Sequence, residues 1–151
     1  MRQKTALRGF TIFELIFTIA IIGTLAGIVI PVYSNYKEKT EINKAILDIR
    51  SLESDILTFK MTKKAMPGTL VDVGKGGLLD PWGNPYKYLD YATSTPGQTR
   101  KDRFLKPLNS DFDLFSMGKD GDYRATLNNP LSQDDIVRAN DGVFIGLGSE
   151  F

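Results

Sequence analysis

The side chains able to do chemistry in this chain are mostly carboxylates. The 151 residues include 18 acids and no His or Cys. Ser-His-Asp and Cys-His catalysis and the usual zinc sites are thereby excluded, and no disulfide is available in an oxidising compartment. Two sets of acids stand out. Glu14 is the one charged residue in the apolar run 10–30. A carboxylate at the centre of a bilayer costs about 2.5–3.5 kcal/mol, and less near the interface, so one kept in such a run is a functional candidate that needs a partner. The other reading is that it snorkels to the headgroups. The second set lies in Gly118-Lys119-Asp120-Gly121-Asp122 and Asp134-Asp135-Ile136. Calcium takes about six to eight oxygens, carboxylates and carbonyls among them. Asp120, Asp134 and Asp135 would converge on one ion if the intervening loop folds back, with Asp122 a weaker candidate. The alternating acids and terminal Glu of an EF-hand are missing, and a solvated acidic turn is the alternative. No spacing sets a pair of acids at catalytic separation.

These groups need elements to hold them. A run of roughly 20 apolar residues is long enough to cross a bilayer as a helix. Before it stand Arg2, Lys4 and Arg8 with no acid, a basic flank that stays on the cytoplasmic side while the rest of the chain is sent across. A secretory signal peptide cut near Thr24-Leu25-Ala26 and a plain signal anchor are the competing readings; the acid inside the run and the helical pattern beyond it favour neither. Pro31 removes a backbone donor and is expected to interrupt the helix softly. Gly23 and Gly27 weaken the same region, or let helices approach closely. The helical pattern then resumes. Ile42, Ala45, Ile46, Ile49, Leu52, Ile56 and Phe59 recur at three- and four-residue spacing, opposite a polar face. One helix over residues 10–60 is predicted, about 75 Å long at 1.5 Å per residue. Its second half is amphipathic, and a sheet is the obvious cover for the apolar stripe.

Pro67-Gly68 marks a turn beyond that helix. Asp80-Pro81-Trp82-Gly83-Asn84-Pro85-Tyr86 makes a stiff turn, with Trp82 plugging the core and Tyr86, Tyr88 and Leu89 opening a strand. Residues 92–107 are polar and carry Arg100, Lys101, Arg103 and Lys106, read as a solvated basic loop with partner binding as the alternative. Residues 112–117 form the next strand, with Phe112, Leu114 and Ser116 on one face. Residues 142–147 supply a last strand or closing segment. The expected fold is α+β: a long N-terminal helix on a small antiparallel sheet of about three strands, with a C-terminal loop. The net charge of +1 gives no support for nucleic-acid binding.

Gly9-Phe10-Thr11-Ile12-Phe13-Glu14 resembles the processing motif of type IV prepilins and pseudopilins. The resemblance implies a leader over residues 1–9, removed after Gly9 by a prepilin peptidase, and methylation of the new terminus at Phe10. It implies an assembly role for Glu14, Phe10 and Pro31. Loss of the leader would leave 16 basic against 18 acidic residues. A free amino terminus titrates near about 7.7–8.0 and is largely cationic at neutral pH. The Phe10 ammonium could then meet Glu14 of a neighbouring copy, with register a safer role for the pair than stability. Asp-Pro-Trp-Gly-Asn-Pro-Tyr at 80–86 is similar to a stretch of the major pseudopilins of type II secretion systems. Met66-Pro67-Gly68-Thr69-Leu70 stands where that family carries tyrosine-proline-threonine and glutamine-glycine-leucine. Ser116-Met117-Gly118-Lys119-Asp120-Gly121 with Asp135-Ile136 matches the family's calcium loop, which adds Ser116 to the candidate ligands. The implied division is a leader (1–9), a membrane and assembly helix (10–30), the amphipathic half of that helix (31–60), and a periplasmic globular part (61–151). The implied protein is no enzyme. It is a membrane-held subunit that assembles into a helical fibre with minor pseudopilins and an inner-membrane assembly platform, supporting protein export across the outer membrane. A pilin of an extracellular pilus and a membrane-tethered enzyme or binding domain are the alternatives.

Overall fold

The computed structural model describes residues 9–95 and 97–151. Helix α1 runs Ile12–Lys63, followed by strands β1 (Lys87–Asp90), β2 (Phe112–Ser116), β3 (Ile136–Ala139) and β4 (Phe144–Leu147), with short 3-10 turns at Pro130–Ser132 and Gly148–Glu150. The chain divides into two compact units, Met1–Glu38 and Lys39–Phe151. Of the leader, only Gly9 lies among the described residues; Arg2, Lys4 and Arg8 lie outside them.

In the first unit the described residues are helix from Ile12 onward, and its large apolar side chains are exposed all round. The stretch is long and apolar enough to cross a membrane. The expected interruption at Pro31 is absent: α1 passes through it unbroken. Proline normally clashes with the carbonyl four residues back and deprives it of a donor. Here that carbonyl belongs to Gly27, and the helix continues on both sides of it. Thr18 Oγ1 donates to the Glu14 carbonyl at 2.7 Å and Thr24 Oγ1 to the Ile21 carbonyl at 2.8 Å. Such back-bonding hides hydroxyls that lipid cannot solvate.

The second unit is built on the predicted stripe. Ala45, Ile49, Leu52 and Ile56 are fully buried, with Ile42 and Ile46 packed at the margin. They meet one face of a four-stranded antiparallel meander in the order β1-β2-β3-β4. Tyr88 pairs with Leu114, Ser116 with Ile136, and Ile136 with Leu147, so these side chains share the helix-facing side with Phe112 and Ile145. The sheet has four strands rather than about three. The added one, β3, is the segment read from sequence as the end of a calcium loop; buried on both faces, it shows no polar–apolar alternation. It turns into β4 through Asn140, Asp141 and Gly142, all at positive φ.

The opposite face of the sheet is also covered. Phe115, Val137 and Ala139 pack with Leu108, Leu127, Phe144 and Phe151 into a second apolar cluster. Part of its cover is the basic segment read as solvated. Arg100 in that segment is 1% exposed. Its burial depends on partners far along the chain, which a local pattern of charge does not reveal.

Candidate functional site

The first candidate site is the start of α1. Thr11 precedes the first helical residue, and Glu14 lies one turn in. The Thr11 N–H donates to Glu14 Oε2 at 2.9 Å and its hydroxyl donates to the same oxygen at 2.8 Å. In return Thr11 Oγ1 accepts from the Glu14 N–H at 3.2 Å. This is a reciprocal capping box, which satisfies donors that every helix start leaves open. The carboxylate also sits where the positive end of the helix dipole favours it. Both side-chain bonds end on Oε2, and among the described residues none ends on Oε1. Glu14 is thus held by its own chain through one oxygen and has the other to offer. The sequence carried the signal, Thr-x-x-Glu ahead of an apolar run, but Thr11 was not singled out as the partner of Glu14. Gly9 and Phe10 are exposed beside this cap, and Pro31 lies within the same unit.

The second candidate is the acidic loop. It does fold back. Asp134 Oδ2 accepts from the N–H groups of Lys119 and Asp120 at 2.9 and 3.2 Å. Gly118, at φ +62, lies so close to Asp134 that an added Cβ would fall 2.5 Å from its carbonyl oxygen. The five predicted ligands, however, do not form one set. Asp120 Oδ1 accepts from the Asp122 N–H at 2.9 Å. Ser116 donates its hydroxyl to Asp80 Oδ2 at 2.5 Å. Asp135 is fully buried and ion-paired to Arg100, Nη2 to Oδ2 2.5 Å. Asp122 stays exposed. Among the described residues no three acids gather as a metal-binding group. The physical reason is competition: the folded loop offers these oxygens amides, a hydroxyl and a guanidinium at hydrogen-bond distance. One observation favours a metal, since Asp135 Oδ1 is buried with no hydrogen-bond partner. Burial pushes the Asp135 carboxyl up to about 6; the Arg100 charge and its hydrogen bond pull the other way.

Two further buried charge clusters were missed by sequence reasoning. Arg138 on β3 donates from Nε to Glu53 Oε1 on α1 at 2.6 Å and as a fork to Asp111 at 2.7 and 3.1 Å. Its guanidinium lies 4.0 Å from the centroid of the Phe112 ring. Burial pulls the Arg138 guanidinium down, and the Asp111 and Glu53 carboxylates outweigh it, for a net rise. Gly142 is required beside it, because at φ +90 a Cβ there would stand 2.0 Å from Glu53 Oε1. On the other face Asp113 accepts from the Arg100 N–H, the Tyr91 hydroxyl and the Asn109 amide. Burial raises its carboxyl, and these three donors resist.

Comparison with known proteins was made on the whole chain. It is 34% identical over 141 residues to the type II secretion system core protein G of Aeromonas hydrophila, covering 80% of this chain and 88% of that protein. To the core protein G of Escherichia coli K12 it is 32% identical over 143 residues, 81% of this chain and 88% of that one. The type IV major fimbrial protein FimA of Dichelobacter nodosus is 32% identical over 96 residues, 64% of this chain and 60% of the fimbrial protein. No protein-family model and no solved structure matches the chain.

Proposed function

Since the chain belongs to the family of the type II secretion core protein G, the major pseudopilins, and is a structural subunit of a pseudopilus, we propose the route by which it is built into one. The peptidase removes the leader after Gly9, and Phe10 becomes a methylated, cationic terminus. The subunit waits in the inner membrane with its N-terminus cytoplasmic and residues 61–151 periplasmic. It then enters a helical fibre through an inner-membrane assembly platform, with minor pseudopilins, and the fibre supports export across the outer membrane.

The observation that carries this reading is the division of Glu14 between its two oxygens. Thr11 neutralises part of the cost of the carboxylate while the subunit is alone. The remaining oxygen is an acceptor for the Phe10 ammonium of an adjoining copy. In a low-dielectric layer that attraction is far stronger than in water, and so is the desolvation cost. Glu14 therefore sets which copy docks at which height more than how tightly it holds. The exposed apolar sides of the helix supply the contact area. FimA matches a smaller share of both chains, so export is the better reading than an extracellular pilus.

The test is twofold. Mass spectrometry of the native protein should find a chain beginning at methylated Phe10. Glu14→Ala should be processed and membrane-held yet fail to form fibres or support secretion. An uncut leader, or normal fibres from the Glu14→Ala strain, overturns the proposal.

A further inference from the structure

We propose that the guanidinium of Arg100 is the resident cation of the acidic loop, and that this chain closes residues 118–134 without calcium. The inference concerns the globular unit alone and stands whether or not the assembly route above is correct.

Arg100 touches the loop at two points, one within it and one just beyond it. Nη2 lies 2.5 Å from Asp135 Oδ2, just after the loop. Nη1 donates to the Arg124 carbonyl at 2.9 Å, within it. The planar group lies 4.4 Å from the centroid of the Phe115 ring and 5.6 Å from that of Tyr123, so one face of the cation is covered by aromatic carbon. The backbone around it is fixed independently. The Arg100 N–H donates to Asp113 Oδ2 at 2.6 Å, and its carbonyl accepts from the Leu108 N–H at 2.9 Å. The next residue, Lys101, pairs with Ala125 and Leu127 through its main chain at 2.7 and 3.0 Å. The side chain is 1% exposed and that of Asp135 0%. This is a built site, not a surface contact.

The same geometry argues against a divalent ion. Asp135, the most buried of the candidate carboxylates, already faces one full positive charge. Asp134 spends one oxygen on two amides, and Ser116 donates to Asp80 Oδ2 while its own oxygen accepts from the Gly118 N–H at 3.1 Å. The unpartnered Asp135 Oδ1 has a counterpart in the same ion pair, because Arg100 Nε is also buried without a partner. One orphan donor and one orphan acceptor are satisfied together when the pair closes to the two-bond fork that guanidinium and carboxylate favour. A calcium ion bound to Oδ1 would leave Nε unsatisfied and would stand beside a like charge.

The test uses the mature full-length protein in detergent micelles, with millimolar calcium chloride or excess EGTA. Thermal unfolding by circular dichroism should be unchanged between the two, as should the rate of trypsin cleavage at Lys119 and Arg124, both exposed within the loop. Arg100→Gln should speed that cleavage by roughly tenfold or more, with or without calcium, because it strands a buried carboxylate. Adding Asp135→Asn to Arg100→Gln should recover part of the loss, which a generic folding defect would not do. A rise of about 4 °C or more in the melting temperature of the unaltered protein on adding calcium would overturn the proposal. So would equal damage from the double and single variants. Should Arg100→Gln fail to accumulate, the calcium comparison on the unaltered protein still decides.

Discussion

The two compact units solve the same problem, a charge among apolar groups, in opposite ways. In the first, Glu14 is satisfied by a residue three positions away, and every large apolar side chain around it remains uncovered. In the second, Arg138 reaches back 85 residues to Glu53 and Arg100 forward 35 to Asp135, and Ala45, Ile49, Leu52 and Ile56 of the apolar stripe are fully buried. Local satisfaction leaves a helix complete as a hydrogen-bonded object but unfinished as a packed one. Long-range satisfaction finishes the unit within one chain. The first unit therefore needs lipid or other copies of itself, and the second builds its core from its own chain.

The largest expected break in that contrast is at Arg138. Arg138→Met keeps the volume and strands Glu53 and Asp111 near the core. Removing one partner of a buried ionic cluster costs about 3–5 kcal/mol, so the variant should melt well below the unaltered protein in a thermal scan. Replacing Glu53, Asp111 and Arg138 together with apolar residues should cost much less, because it leaves no charge behind.

A matched pair of substitutions sharpens the comparison. Ile49 and Ile22 are the same residue on the same helix, one 0% and the other 59% exposed. Ile49→Ala should cost about 2–5 kcal/mol of unfolding free energy by opening a cavity under the sheet. Ile22→Ala should leave the melting of the globular unit unchanged within about 0.5 kcal/mol, and its loss should be seen only in fibre yield. A stability cost at Ile22 equal to that at Ile49 would mean that the first unit is packed by its own chain after all.

What was legible in the sequence follows the same division. Signals that repeat locally were clear: the apolar run, the stripe from Ile42 to Phe59, the strand at Phe112–Ser116 and the Asp80-to-Tyr86 turn all stand where expected. Strand β3 was missed because Ile136-Val137-Arg138-Ala139 puts a charge where a core strand shows apolar residues, and that charge is explained only by Glu53 and Asp111. Its turn, Asn140-Asp141-Gly142, was a usable hairpin signal that went unread. Arg100 was placed among solvated cations for the same reason. A buried ion pair looks like two surface charges until the fold brings its halves together. The acids at 120, 122, 134 and 135 pose the reverse case: near one another in sequence, they are parted by the partners the fold supplies.

The globular unit should also show its seam on the alkaline side. Burial first, and then the neighbouring carboxylates, push the Tyr86, Tyr88 and Tyr91 hydroxyls well above the ordinary phenol range. Tyr86 donates to Asp48 on α1 at 3.0 Å and Tyr91 to Asp113 at 2.7 Å. A folded-state value raised above the unfolded one contributes stability that is fully present below the unfolded pKa, about 10, and is lost as pH rises beyond it. Absorbance at the phenolate band should show these three ionising only together with the loss of near-ultraviolet circular dichroism. Tyr86→Phe should reduce that coupling, and free titration of all three in the folded protein would show the Asp48 and Asp113 contacts to be weak.

The smallest effect is expected at Thr11, and it separates capping from assembly. Thr11→Val keeps the shape of the side chain and removes both hydroxyl contacts with Glu14, the bond it donates and the one it accepts. The remaining N–H bond to Oε2 still holds the carboxylate in place. A lost N-cap costs about 0.5–2 kcal/mol of helix stability, confined to the first turn of α1. Melting of the globular unit should therefore not move, and Phe10 should still be processed. The change belongs in the competition for Glu14: freed of one intramolecular donor, the carboxylate is costlier in the lone subunit and more available to a neighbour's ammonium. Fibre formation should then become more sensitive to the position of that ammonium, and Glu14→Asp, which shortens the reach by one methylene, should impair assembly more in the Thr11→Val background than alone. If the two changes simply add, Thr11 caps the helix and has no part in selecting the neighbour.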